Sequence, residues 1–570
     1  MDTAPAARHA ILGAAFALAS LLCPGSAEPA AAEDAADVDA TAYGSEERYD
    51  AGARYGASMG SVTVGDRQFY RLSMRPDIPV GPLGVALDIE LFIDDSGNFS
   101  DRGWAFGTST EILDTFLRKI YYVRYGQPRD PVYVRLGALD NVTLGYGALV
   151  NGYRNTVQYP GIKKTGVQFQ VEGVGGSRFD VEGLVNNLQD LKEGGALIGL
   201  RVASRAAGKL EVGVSYVVDL DQYAGLLDRD GDGYPDEVDA FPDDGQLALD
   251  NDGDGVPDGL DSDDDNNGAI DADDGSGLPA AVRADLLNLE ATYGPAVFPV
   301  DRSVSRRVPF NKDSVGRDWF SIVGLDAGYP LMASQGLKLT LYGQLAAMVD
   351  DDDKLADAAA DSQGVSRGNH RAKGFGIMAP GLWLRTGPFE GRLEYRFFQD
   401  DFEAGYFDNL YELDRARVSA ATGKATAKDA SLRRGESVNG IYGRLAADLY
   451  GLVDAAGDYQ HLVGADTPRR QLHAAARLAP RLLQSVPRLS RARAYYQKNN
   501  IGARLDEKGT PGSEDGFFES TEDTFYGYEL GLQMASGVAV VWDTRFYFER
   551  GADGSLARRK VMGIETVFDF

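Results

Sequence analysis

Apolar and polar residues alternate one for one along much of this chain, and no stretch after residue 27 reaches the ~18 consecutive apolar residues that a membrane helix needs. Val538, Val540, Trp542, Phe546 and Phe548 share one face, against Asp543, Arg545 and Glu549 on the other. The same split separates Leu337, Leu339, Leu341, Leu345 and Val349 from Lys338, Thr340 and Gln344. It also separates Val167, Phe169 and Val171 from Gln168, Gln170 and Glu172, and Leu393, Tyr395 and Phe397 from Arg392, Glu394 and Arg396. Such a chain makes antiparallel sheet. Alternation alone leaves open whether the apolar face looks into a soluble core or out at lipid.

The connections argue for lipid. Short turns at Gln127 to Asp130, Val174 to Ser177, Arg205 to Lys209, Met332 to Gly336 and Gly387 to Phe389 alternate with long loops near 95–117, 141–163, 220–316, 350–372, 400–437 and 499–523. This asymmetry is expected of a barrel with short turns at one end and long loops at the other. The chain closes on Met562, Ile564, Thr566, Phe568 and Phe570, which share one face. That ending resembles the C-terminal strand of Gram-negative outer-membrane β-barrels, and the resemblance implies recognition by the assembly machinery. The 28 Tyr and 25 Phe would supply interfacial girdles. The expectation is an all-β fold, an antiparallel transmembrane β-barrel of about 18–20 strands; a secreted β-sandwich array is the alternative. Helices are expected in long loops at Thr110 to Leu117 and Ala280 to Leu289.

Arg8, the apolar run Ile11 to Leu22 and the small residues Gly25, Ser26 and Ala27 read as a signal peptide over 1–27. Leu22 before Cys23 argues against a lipoprotein signal, and cleavage would leave a chain without cysteine. Residues 28–58, rich in Ala, Glu and Asp at their start, read as a flexible leader.

Three Asp-rich stretches repeat one pattern, D-x-D-x-[DN]-G-x-x-D-x-x-D. The first carries Asp228, Asp230, Asp232, Gly233, Asp236 and Asp239, and the second Asp250, Asp252, Asp254, Gly255, Asp258 and Asp261. The third carries Asp263, Asp265, Asn267, Gly268, Asp271 and Asp274. Oxygen at positions 1, 3 and 5 suits a hard cation, Gly at 6 permits the sharp turn, and Tyr234, Val256 or Ala269 at 7 offers a carbonyl. Pro235, Pro242 and Pro257 argue against the flanking helices of an EF-hand. The repeats start at 228, 250 and 263, and Asp239-Ala-Phe-Pro242 follows the first. This alternation resembles the thrombospondin type 3 repeat family, which implies Ca²⁺ as the structural core. The third copy departs, with Asn267 at position 5 and Ala-Ile in place of a Pro-containing pair. The bland alternative is a disordered acidic linker.

Charge agrees with cation binding. The chain carries a net −29, and residues 221–275 hold 20 Asp or Glu against the single Arg229, or −19. No basic face exists to neutralise phosphates, so nucleic acid is a poor partner.

Other candidates read as structure. His370, His461 and His473 have no mutual metal spacing. Gly56-Ala-Ser-Met-Gly60 matches the G-x-S-x-G pattern without a strand-to-helix turn, and no triad accompanies it, so no enzyme is expected. Asp350 to Asp353 reads as a solvated loop tip, and Leu144 to Tyr153 as an ordinary outer loop in preference to a constriction. Arg178, Asp180, Glu182, Glu211, Lys338, Arg392, Glu394, Arg396, Asp543 and Arg545 are expected on the lumen wall. The resulting division is barrel over 59–220, an outer insertion with the calcium repeats over 221–316, and barrel again over 317–570. Two functions fit it: a porin-like channel or transporter in outer-membrane lipid, or an anchored scaffold whose calcium lobe adheres to a cell-surface polymer or protein.

Overall fold

The computed structural model describes residues 54–569, apart from 65–66, 94–98, 101–118 (except Thr115), 159–161, 264–269, 272–279, 302–309, 351–373, 419–422, 433–436, 465–468, 506–510, 536–537, 551–555 and some isolated positions. The expected signal peptide, most of the leader, Asp265, Asn267, Ala269, Asp274, Asp351 to Asp353, His370 and Phe570 lie outside the described residues.

Twenty-two strand segments form one sheet. Two strands are interrupted. Leu83–Leu87 continues as Ile89–Ile93, both paired with Arg67–Val80; Phe99–Ser100 and Ile120–Tyr125 are the two ends of the next strand. The 22 segments therefore make twenty strands among the described residues, within the expected range. Every neighbouring pair in this sheet is antiparallel, and the ring closes where Arg54–Val64 meets Leu556–Asp569 in register Gly56↔Asp569 to Ser61↔Ile564. Closure leaves no edge carrying unpaired N–H and C=O groups. Gly56 to Gly60 is part of the first strand, so no nucleophile elbow forms there.

The wall is apolar outside and polar inside. On Leu337–Asp350, Leu341, Leu345 and Val349 are exposed while Tyr342, Gln344 and Met348 are buried. On Phe389–Asp400, Leu393 and Tyr395 face out while Glu394 and Arg396 are buried in the lumen. Leu445 and Ile441 on Val438–Leu449 are also exposed, at 59% and 57%. A soluble sandwich would bury these side chains, so the orientation decides what the alternation left open.

Short turns lie at the end of the barrel holding both termini, including 208–209, 335–336 and 387–388. The long connections 138–165, 186–196, 220–319 and 401–437 leave from the other end. An α-helix at Ala280–Tyr293 lies in the 220–319 connection, covering the expected one; the expected helix at Thr110 to Leu117 falls almost wholly outside the described residues.

The expectation for Leu144 to Tyr153 is corrected. This segment is no ordinary outer loop: it folds into the barrel, where Leu144, Leu149, Val150 and Tyr153 are buried with Phe402, Tyr406, Phe407 and Tyr411 of the 401–437 connection. The wall contributes Leu184, Leu197, Val217, Phe320, Ile322 and Met378. The two connections are joined by Asn151 N donating to Phe407 O at 3.1 Å and Gly405 N donating to Ala148 O at 2.8 Å. Wall glycines make the sockets: a Cβ on Gly324 would sit 2.6 Å from Leu149 Cδ1, and one on Gly376 only 2.2 Å from Phe402 Cε1. The apolar groups of 144–153 would otherwise face water, and burying each large one contributes about 1.5–3 kcal/mol.

If the outer face meets lipid, Leu445→Arg destabilises the barrel by about 2–4 kcal/mol. Urea unfolding of protein refolded into liposomes measures this; a neutral result, as expected of a water-exposed leucine, would contradict a lipid-facing wall.

Candidate functional site

The upper lumen is organised around Arg415. It follows a short helical turn, Tyr411–Asp414, in the 401–437 connection, and its side chain is fully buried. Its Nε and Nη2 donate to the two oxygens of Asp219 at 2.6 Å each, a fork that matches a carboxylate. Nη1 reaches Asp190 Oδ2 at 3.3 Å, and Nη2 also donates to the carbonyls of Asp221, at 3.0 Å, and Gly195. Tyr411 Oη donates to Asp219 Oδ2 at 2.6 Å. Asp219 ends the strand Leu210–Asp219, so the fork ties the inner connection to the wall.

Beside it lies Glu412, also buried. Its carboxylate accepts from Tyr153 Oη, from Lys164 Nζ, and from Asn186 Nδ2 at 3.1 Å. Asn155 locks the base of the 138–165 connection, accepting from Leu139 N at 2.8 Å and donating to Asn186 O at 2.8 Å. Burial works to raise the pKa of Glu412, but Lys164 and Arg415 outweigh it and hold the carboxyl at about 2. Burial pushes Asp221 up to about 6 and raises Asp190.

These inner connections do not meet the wall everywhere. A small cleft separates them from the wall strands Val438–Leu449 through Leu489–Ile501. Its lining includes Asn151, Asp408, Arg444, Asp458, His473 and Gln497. Asp458 stands 3.0 Å from His473 Nδ1 and 4.0 Å from Arg444 Nη1, while His473 Nε2 meets Asn499 Oδ1 at 2.9 Å. Gln497 accepts from Asn409 Nδ2 at 3.1 Å, and its own amide Nε2 is buried without a partner. His473 is thus a member of a charge network, and His461 contacts Tyr459 Oη at 3.0 Å.

Of the expected lumen charges, Glu182 and Glu211 converge on Arg201, at 2.9 and 3.0 Å, together with Asp326 at 2.6 Å. Glu394 pairs with Arg396 at 2.7 Å and accepts from Tyr342 Oη at 2.6 Å. The two signs cross-brace the wall as much as they line it.

The acidic loops are built alike at a spacing of 22. Asp228 accepts from Gly231 N at 2.8 Å and Gly233 N at 3.1 Å; Asp250 accepts from Gly253 N at 2.8 Å and Gly255 N at 2.9 Å. Asp232 accepts from Tyr234 N, and Asp254 from Val256 N, at 2.8 Å each. Gly233 and Gly255 have φ of 93° and 92°, a conformation that favours glycine. In each loop the first three carboxylates come together: oxygens of Asp228, Asp230 and Asp232, and of Asp250, Asp252 and Asp254, lie within 4.8 Å of one another. Asp239 is 8% exposed; its Oδ1 accepts from Phe241 N, while its Oδ2 and that of Asp230 are buried without a hydrogen-bond partner. Asp236 instead pairs with Arg229 at 2.6 Å. Asp258 accepts from Asn251 N at 2.8 Å and Asp261 from Asp263 N at 3.0 Å. Of the third repeat, Asp263 and Asp271 are described, Asp271 in a two-residue strand paired with Val300–Asp301.

Sequence reasoning missed Asp219, Arg415, Glu412 and Lys164, whose partners lie some 190 to 250 residues apart and share no motif.

No family model matches the chain, and no curated protein matches it. Among solved structures, OccK11 (OpdR) of Pseudomonas aeruginosa aligns with 91% of this chain and 96% of its own, at 9% identity and a TM-score of 0.28. The FrpB iron transporter of Neisseria meningitidis aligns with 92% of this chain and 82% of its own, at 9% identity and a TM-score of 0.34. Pseudomonas aeruginosa OccK5 (OpdH) aligns at 10% identity and 0.28, over 91% of this chain and 98% of its own. Similarity at this level carries no argument about function, which rests on the residues above.

Two outcomes follow. Arg415→Ala leaves Asp219 buried and uncompensated, at a cost of about 3–5 kcal/mol to the packed connections; faster proteolysis within 401–437, with the barrel intact, is the readout. Acidity acts in two directions. Asp221, raised to about 6 by burial, loses an ionisation penalty as pH falls below 6. Glu412, depressed to about 2, contributes stability present above its ordinary 4.5 and lost as pH falls toward 2. Protease protection of these connections is therefore greatest near pH 5 and declines below 4.5.

Proposed function

We propose that this chain is an outer-membrane channel for small polar solutes, narrowed from within by two folded connections and carrying a calcium-stabilised lobe at its outer end. The observation that carries the channel reading is that both signs of charge, Arg444, Asp458 and His473, line a small cleft between those connections and the wall, where the buried Gln497 Nε2 has no hydrogen-bond partner. Apolar side chains on the outside of a closed wall support a lipid setting, in which only such a closed ladder satisfies the backbone.

The donor set of the first Asp loop fits Ca²⁺. Asp228, Asp230 and Asp232 converge, and the buried, unpartnered oxygens of Asp230 and Asp239 lack a positive partner that a hard cation would supply. Asp250, Asp252 and Asp254, with Asp258 and Asp261, repeat the arrangement, so a second ion is proposed there; the third repeat is proposed on sequence grounds alone. The bound ions would offset carboxylate repulsion in the Asp loops, which makes binding and ordering of those loops one equilibrium. The lobe leaves the barrel end opposite the two termini, a position that also supports the second reading, adhesion to a surface polymer or protein through residues 221–316.

Planar-bilayer recording tests the channel. Replacing 402–432 by a short Gly-Ser linker raises conductance several-fold, and Arg444→Ala shifts the reversal potential toward cations; a sealed bilayer in both cases would reject transport and favour the adhesive reading. Calcium binding is read by titration calorimetry, where Asp230→Asn with Asp239→Asn removes one equivalent.

A further inference from the structure

The first Asp loop and the lumen filling share a bridge, residues 310–313. Phe310 is fully buried with its ring 4.9 Å from Tyr223, among Ala416, Ala425 and Ala427 of the inner hairpin. Its N–H donates to Gly423 O at 2.6 Å. Two residues later Lys312 N donates to Gly233 O, the turn residue of the Asp loop, at 2.6 Å, and Asn311 Nδ2 reaches Asp232 O at 3.5 Å. The fit is close: a Cβ on Gly233 would lie 2.8 Å from Asn311 Oδ1 and 3.1 Å from Asp313 Cγ. Among the described residues the second loop has no such neighbour, since a Cβ on Gly255 would meet nothing within 4 Å. The hairpin on the far side of the bridge, Ala416–Val418 with Ala425–Ala427, continues directly from Arg415.

Lys312 Nζ stands 3.4 Å from Asp228 Oδ2. An ammonium there partly offsets the charge of the loop, and a divalent cation on the same carboxylate competes with it.

We infer that cation binding in the first Asp loop latches the 401–437 connection into the lumen through residues 310–313, with Lys312 as the built-in competitor for Asp228. This rests on the calcium reading of the first loop. Without the cation, the convergent carboxylates repel, Gly233 O and Asp232 O move from the bridge, and Phe310 no longer holds the hairpin. The second loop binds its ion without this effect.

The test uses the full chain in detergent and in bilayers, with Ca²⁺ or a chelator. Trypsin has sites at Arg415, Arg417, Lys424 and Lys428. At free Ca²⁺ about ten times its dissociation constant, linkage protects these sites about tenfold relative to chelator, and the chelated protein shows higher mean conductance. Asp230→Asn with Asp239→Asn abolishes the protection, while Asp250→Asn with Asp252→Asn removes a bound ion and retains it. Lys312→Met tightens Ca²⁺ binding severalfold by removing the competitor, a change a merely structural lysine would not produce. Calcium binding with unchanged cleavage and conductance overturns the latch and leaves the calcium reading standing. Equal loss of protection in both loop variants overturns the bridge as its route. No binding at all overturns the latch and the calcium reading together.

Discussion

Closing twenty antiparallel strands into a ring satisfies every ladder in the wall and turns its apolar side chains outward, and the rest of the molecule answers the space this leaves inside. A lumen of this size either holds water or is filled with chain. Here two connections fold back from the barrel end opposite the termini and meet, Asn151 N to Phe407 O, forming the largest apolar cluster among the described residues. The barrel therefore has two apolar surfaces, one presented to its surroundings and one made by its own loops.

Holding those loops required buried charge. Arg415 and Asp219 are both fully buried, and the fork between them succeeds because the guanidinium's remaining donors find Asp190 and two carbonyls. Glu412 is treated the same way, with Lys164, Tyr153 and Asn186 around one carboxylate. A purely apolar filling would have packed as well, but it would not have dictated which connection meets which strand. On the opposite side the cleft lining is of mixed sign, with Asp458 between His473 and Arg444.

The acidic lobe inverts this economy of oil. Its two described loops superimpose in hydrogen bonding at a spacing of 22 residues, yet their carboxylates point at one another. The backbone solves the turn, with Gly233 and Gly255 at positive φ, and leaves the charge of the convergent carboxylates to be offset, the role proposed for a cation. The attachment of the first loop to residues 310–313 joins this lobe to the barrel filling, so the two parts are mechanically one.

Local periodicity carried much of this without any structure. Strand polarity, the turn and loop asymmetry, the strand number and the Asp loops all depend on residues within a dozen positions of one another, where spacing alone dictates which side chains share a face. Leu144 to Tyr153 failed for the opposite reason: its glycines and aromatics read as an exposed loop, because its burial depends on a socket at Gly324 and on Phe407, both far along the chain. Which way the apolar face looked, which loops turned inward, and that Arg415 would meet Asp219 across 196 residues were decided only when the sheet closed. A ring sets its diameter and its inner neighbours globally, and no local pattern encodes a distance across it.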